Sequence, residues 1–150
     1  RVRQPGYEKN RMNIALLKQL DNNQVIFFDG YCNLCSSLLD FISSKDIATR
    51  FAFIPLQSEL ALQVLVQNGY PVEKIKNLEN AVYLRQHQLK TKSDAILAIL
   101  WDLGGIYRLS YALYLIPGFI RNQMYSFIAK SRYRWFGKRK TCRLPTSDRL

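Results

Sequence analysis

Histidine and cysteine are scarce in this 150-residue chain, with one of the first and three of the second. His87, alone in a polar stretch, is assigned no role. Three cysteines do not make a disulfide scaffold. Arg1 to Arg11 is polar and basic and lacks the apolar run that an export signal needs. The expectation is therefore a reducing compartment, cytoplasmic or equivalent. Acidic residues are also few: 11 against 22 basic, for a formal charge of +11. That imbalance invites nucleic acid or an anionic membrane surface as a partner. No recognised nucleic-acid motif accompanies it, so no nucleic-acid partner is expected. The apolar, aromatic stretch Ile106 to Ile116 is interrupted by Arg108 and stopped by Pro117-Gly118. It is too short to span a bilayer, so a helix packed on the core is expected, with no transmembrane segment. Apolar residues themselves are plentiful, at 48% with 13% aromatic, which excludes a disordered chain. The length suits one ordinary domain with a core of its own.

The rest of the chain is organised around Val25 to Asp46, VIFFDGYCNLCSSLLDFISSKD. Val25 to Phe28 is a short unbroken apolar run, the pattern of a strand covered on both faces. Asp29-Gly30-Tyr31 follows as a turn, and Cys32 and Cys35 then open a helical pattern of Leu38, Leu39, Phe41 and Ile42. A cysteine in the first turn of a helix meets unpaired N–H groups and the positive end of the helix dipole, which favour its thiolate. Cys35 is in line with Leu38, Leu39 and Ile42, the face that must pack on the sheet. Cys32 is therefore expected to be the more exposed thiol and the nucleophile, with Cys35 the more buried, resolving thiol. Zinc is an alternative, since the spacing is also that of metal ligands. The chain offers only Cys142 and His87 as further soft ligands, and no metal site is expected. Two buried, inert cysteines are a third alternative. Asp29 reads as a turn former, or as a proton relay three residues before Cys32.

Downstream, Arg50 to Ile54 reads as a second strand closed by Pro55. Ser58 to Asn68 reads as a helix capped by Gly69. Ala81 to Arg85 and Gln88 to Lys92 read as a hairpin about Gln86-His87. Ser93 is expected as the N-cap of an apolar helix, Ala95 to Leu103, with Asp94 in its first turn. Phe119 to Arg132 reads as another helix with Met124, Phe127 and Ile128 on its buried side. Tyr133-Arg134-Trp135-Phe136 then alternates aromatic and basic residues up to Gly137. Its aromatics are expected in the core, with basic stems along the edge. A variant of that reading brings the segment near the cysteines, where its cations, Arg134 among them, favour the Cys32 thiolate.

The segment FFDGYCNLC resembles the Asp-Gly-x-Cys-x-x-Cys signature of the DCC family of thiol–disulfide oxidoreductases. KSDAIL at Lys92 to Leu97, LIPGFIRNQMYSFIAKSRYRWFGK at Leu115 to Lys138, and Cys142 followed by Pro145 agree with it in order. The resemblance covers about Gln24 to the C-terminus and implies a thioredoxin-like α/β (α+β) fold, a βαβ–ββα core with an added helical region. The order of elements read above agrees. Thioredoxin-like proteins generally present a cis-proline just before the third strand, whereas Asn77-Leu78-Glu79-Asn80 stands here. In glutaredoxin-like relatives of that fold the last core helix begins at a glutathione carboxylate, which makes Ser93 and Asp94 candidate contacts.

The expectation is thus a tail over 1–23, a thioredoxin-like core over 24–105 and a basic, aromatic helical extension over 106–150, one domain overall. Cys32 and Cys35 carry the chemistry with Asp29. Gly30, Tyr31, Ser93, Asp94, Arg134 and Cys142 support it or bind substrate. No cofactor is expected beyond the cysteine pair, and the partner is a thiol or disulfide, protein or small thiol such as glutathione. The alternative is a non-enzymatic basic interaction module, on nucleic acid or a membrane periphery, with structural or zinc-binding cysteines.

Overall fold

A computed structural model of the chain describes residues 24–46, 50–76, 81–138 and 140. The expected tail over 1–23, the Asn77 to Asn80 approach to the third strand, and Cys142 lie outside the described residues. Four strands form one mixed sheet: β1 (Gln24–Phe28), β2 (Phe51–Pro55), β3 (Val82–Arg85) and β4 (Gln88–Thr91), in the order β2-β1-β3-β4. β1 runs parallel to β2 and antiparallel to β3, and β3 runs antiparallel to β4. The helices are α1 (Asn33–Lys45), α2 (Glu59–Gln67), α3 (Val72–Lys76), α4 (Lys92–Leu103) and α5 (Gly118–Phe136). The result is a mixed α/β architecture consistent with a thioredoxin-like α+β fold.

Every residue of β1 after Gln24 is buried because both faces of the sheet are covered. Val25 and Phe27 pack with Ile54, Leu65 and Ile75 on the side of α2 and α3. Ile26 and Phe28 pack with Leu39, Ile42, Ala95 and Ile99 on the side of α1 and α4. The period of two along the strand thus feeds two separate cores. Ser58 caps α2 by accepting from the Ala61 N–H at 3.2 Å, and Gly69 follows at φ +79°. Gln86 and His87 both adopt positive φ, the two-residue hairpin turn that matches strand twist.

Three expectations change. The short helix α3 goes unread in the sequence because five residues carry too little periodicity. Ser93 is not an N-cap: α4 starts at Lys92 after Thr91, which makes no side-chain capping bond, and Ser93 Oγ instead bonds Asn122 Oδ1 at 2.7 Å. The helix expected over Ile106 to Ile116 is present in the tighter 3₁₀ form, Gly105–Leu115, with no buried residue. Gly104 and Gly105, at φ +78° and +58°, break the helical path and turn the chain into the tighter winding. The segment lies against α1 and α4 through rings, Tyr107 on Phe41 at 5.5 Å and Tyr111 on Trp101 at 4.7 Å. No helix among the described residues is long and apolar enough to cross a membrane.

Candidate functional site

β1 ends on the sheet, the turn Asp29-Gly30-Tyr31 carries the chain over its edge, and Cys32 becomes the N-cap of α1. Cys32 has extended backbone, φ −83° and ψ 121°, and its sulfur accepts the Cys35 N–H at 3.3 Å. An N-cap is ordinarily a hydroxyl or carboxamide oxygen; here a sulfur satisfies one of the orphan donors of the first turn. A bond of this kind is worth most when the acceptor is ionised.

The turn is held by one buried carboxylate. Asp29 Oδ1 accepts the Tyr31 N–H at 3.0 Å and Gln57 Nε2 at 2.7 Å. Gln57 in turn accepts the Gly30 N–H at 3.1 Å, tying the turn to the loop after β2. Asp29 Oδ2 pairs with Arg132 Nη2 at 3.3 Å and accepts the Tyr133 hydroxyl. Asp29 and Arg132 are both buried, so the charge that cannot be hydrated in the turn is answered from α5, more than a hundred residues on in sequence. Two further links fix the end of α5 on the start of α1. Asn33 Nδ2 donates to the Phe136 carbonyl at 2.8 Å, and Lys138 bridges to Cys32 through the backbone.

That cover overturns the expected exposure of the two thiols. Cys32 is fully buried and Cys35 is only half-buried. The inner stripe of α1 runs Ser36, Leu39 and Ile42, and Cys32 extends it by one turn. Cys35 lies one residue round the helix from that stripe, beside the half-exposed Leu38.

The charges of the site separate the two sulfurs. The Cys32 thiol is lowered from 9.0 to about 6, first by a hydrogen bond from the Cys35 thiol, then by the Cys35 N–H and Arg132, against burial and the Asp29 charge. Cys35 is pushed up, first by that same bond to Cys32, then by burial and by the Cys32 charge. The same contacts therefore favour the thiolate at Cys32 and the thiol at Cys35.

Of the other residues read from the sequence, Gly30 and Tyr31 belong to the turn, and the Tyr31 ring sits 5.7 Å from Lys138 Nζ. Asp94 pairs with Arg121 of α5 at 3.0 Å, so it and Ser93 serve the α4–α5 contact. Arg134 is exposed, roughly 200° round the helix from Arg132. The cation at the cysteines is Arg132. Met124, Phe127, Ile128, Trp135 and Phe136, expected inside, are between 44% and 61% exposed. Arg132 and Tyr133 reach the carboxylate, while Ile128 and Met124, one and two turns before Arg132 on nearly the same side, stay half-open to solvent. The sequence signal for Arg132 was Asp29 itself, a carboxylate directly after a buried strand, which requires a counter-charge. Tyr125, whose hydroxyl accepts the Ala81 N–H at 2.7 Å, left no such signal. Among the described residues, no three His, Cys, Asp or Glu side chains gather to hold a metal ion.

This geometry agrees with relationships visible across most of the chain. A family model described as DCC1-like thiol-disulfide oxidoreductase matches residues 26–138. The chain belongs to that family. It is also 38% identical over 124 residues to the uncharacterized protein YuxK of Bacillus subtilis, covering 83% of this chain and 88% of that one. A DCC family protein of Arabidopsis thaliana, described as chloroplastic, is 30% identical over 125 residues, covering 83% of this chain and 71% of its own. No solved structure matches. The DCC1-like match begins inside β1 and ends at Lys138, the residue bridged to Cys32, so both anchors of the site fall within it. Cys142 lies beyond the match.

Proposed function

We propose that the chain carries out thiol–disulfide exchange by cycling Cys32 and Cys35 between dithiol and disulfide. The observation that carries this reading is the Cys32 sulfur at a helix start, taking the Cys35 N–H at 3.3 Å, with the Arg132 guanidinium close enough to favour its thiolate. A thiolate of lowered pKa is both an available nucleophile and a good leaving group, the two requirements of exchange. The partner is a thiol or a disulfide. The two electrons reside in the cysteine pair, and no metal or organic cofactor takes part. Asp29 acts as a positioning residue: four donors converge on it, and through Arg132 it sets the charge beside Cys32.

The test is a redox titration of the protein, with alkylation at each cysteine read by mass spectrometry. The expected result is one reversible two-electron transition that includes both Cys32 and Cys35 and vanishes in Cys32→Ser and in Cys35→Ser alike. A pair that stays inert to thiols and disulfides, or that reacts only after chelation of a metal, overturns the proposal in favour of a structural or metal-binding pair.

A further inference from the structure

Two cavities open beside Cys35, and Cys32 lines neither. The larger holds about 350 Å³ and the smaller about 160 Å³; Cys35, Leu38, Ala81, Ile96, Tyr125 and Arg132 border both. The remaining walls of the larger are mainly apolar, among them Leu34, Leu97, Ile116 and Ala129. Its rim residues Leu113, Met124 and Ile128 are 48%, 60% and 44% exposed. The half-exposed rim residues make the mouth of the cavity apolar as well as its interior. A cavity of about 150 Å³ lined by aliphatic side chains is already large enough to take benzene.

Three polar side chains around the larger cavity have partners within the protein. Arg121 pairs with Asp94 at 3.0 Å, Ser93 bonds Asn122 at 2.7 Å, and Arg132 pairs with Asp29 at 3.3 Å. These contacts lay α5 across the start of α4. At the head of β3 the backbone of Ala81 is engaged as well. The Ala81 N–H is held by the Tyr125 hydroxyl at 2.7 Å, and its carbonyl already accepts the Lys92 N–H at 3.2 Å. Strand-like docking of a polypeptide needs those backbone groups.

We propose, resting on the exchange chemistry above, that the larger cavity is the substrate site and takes a low-molecular-weight apolar thiol that reacts at Cys35. In the oxidised pair, the substrate thiolate attacks the Cys35 sulfur. The bond between Cys35 and Cys32 breaks, its electron pair leaves on Cys32 as the thiolate beside Arg132, and substrate and Cys35 are joined as a mixed disulfide. A second substrate thiolate attacks the substrate sulfur of that mixed disulfide. It releases the substrate disulfide, and Cys35 takes a proton. Two substrate thiols lose two electrons, the pair gains them, and of the two protons one stays on Cys35 and one passes to solvent. The turnover is stoichiometric in the oxidised pair. Burial directs attack to Cys35, and the better leaving group is the sulfur that carries the charge more easily.

The experiment mixes the oxidised full chain with phenylmethanethiol or with glutathione at equal thiolate concentration, quenches in acid, and maps adducts by mass spectrometry. Phenylmethanethiol is expected to reduce the pair roughly tenfold faster or more, from burial of its ring, through an adduct on Cys35. Ala129→Trp, which fills the cavity, and Met124→Lys, which charges its rim, are each expected to lower the ratio of the two rates about fivefold. Equal rates for the two thiols, an adduct on Cys32, or a ratio unchanged in both variants overturns the assignment of the cavity. A pair that dithiothreitol reduces reversibly but that shows no preference for the apolar thiol sinks the substrate class and leaves the exchange reading standing. A pair that dithiothreitol cannot reduce removes both.

Discussion

Helix α1 turns Leu39 and Ile42 to the sheet and leaves Ser37 and Asp40 in solvent. Helix α5, which packs across its start, buries Arg132 and leaves Met124, Phe127 and Trp135 at 60%, 61% and 54% exposure. The two helices differ in what each is asked to cover. α1 meets the apolar surface of β1 and β2, where removal of hydrocarbon from water decides its rotation. α5 meets the Asp29 carboxylate, and an unanswered charge under its surface would cost more than the exposure of several apolar side chains. A buried ion pair therefore anchors one helix and the hydrophobic effect the other, within one small molecule.

Substitutions on either side of this contrast should separate the two regimes. Phe27→Ala, in the sheet and fully buried, is expected to cost about 3–5 kcal/mol in urea denaturation. Arg132→Leu should cost a comparable ~3–5 kcal/mol, since it strands Asp29, whereas the double variant with Asp29→Asn should recover much of the loss. Additive losses in that double-mutant cycle would mean that charge does not hold α5 in place.

The thiols provide a pH test of the same contact. Folding lowers the Cys32 pKa from 9.0 to about 6, so its contribution to the stability of the reduced protein is fully present above about 9. It is lost as pH falls from there towards 6. Cys35, whose pKa folding raises, stabilises while its thiol is protonated and withdraws that contribution above the unfolded value. The reduced protein should therefore gain stability from pH 6 towards 9 and lose the gain beyond it. The thiolate ultraviolet absorbance should titrate near 6 in the native protein and at higher pH in Arg132→Leu. A midpoint that does not move in the variant would remove Arg132 from the thiolate's surroundings.

Smaller effects mark the edge of the contact. Gly137 ends α5 at φ +80°, and a Cβ there would stand 3.2 Å from Asn33 Nδ2, the amide that holds the Phe136 carbonyl. Gly137→Ala is expected to cost about 1–2 kcal/mol from the left-handed backbone and to loosen that link. Phe127→Ala, at a residue 61% exposed with the Trp135 ring 5.4 Å away, should change stability by about 0.5 kcal/mol or less. A loss near that of Phe27→Ala would place Phe127 in a second core.

The elements whose burial is governed by local pattern were legible in the sequence. β1 was read to within a residue of its start, because four consecutive apolar residues before Asp-Gly admit few other structures. α2, with its Gly69 stop, and the Gln86-His87 hairpin were read for equally local reasons. The exposure of the two cysteines was not. Helical spacing placed both sulfurs on one side of α1, but which of them is covered depends on Lys138 meeting Cys32, and Phe136 meeting Asn33, across the chain. In the same way Arg134 stood out by composition beside Trp135, while the buried cation is Arg132, selected by the position of Asp29 and not by its own neighbours.

By itself the sequence determined that a buried strand would end at an Asp-Gly turn and that a Cys-x-x-Cys pair would open the next helix. Those features depend on contacts between near neighbours, whose spacing the backbone geometry of strand and helix dictates. The tertiary structure alone decided that Cys32 is covered and Cys35 faces a cavity, and that Arg132 stands against Asp29. These follow from how the end of one helix meets the start of another, with a buried ion pair between them that pattern and periodicity do not weigh.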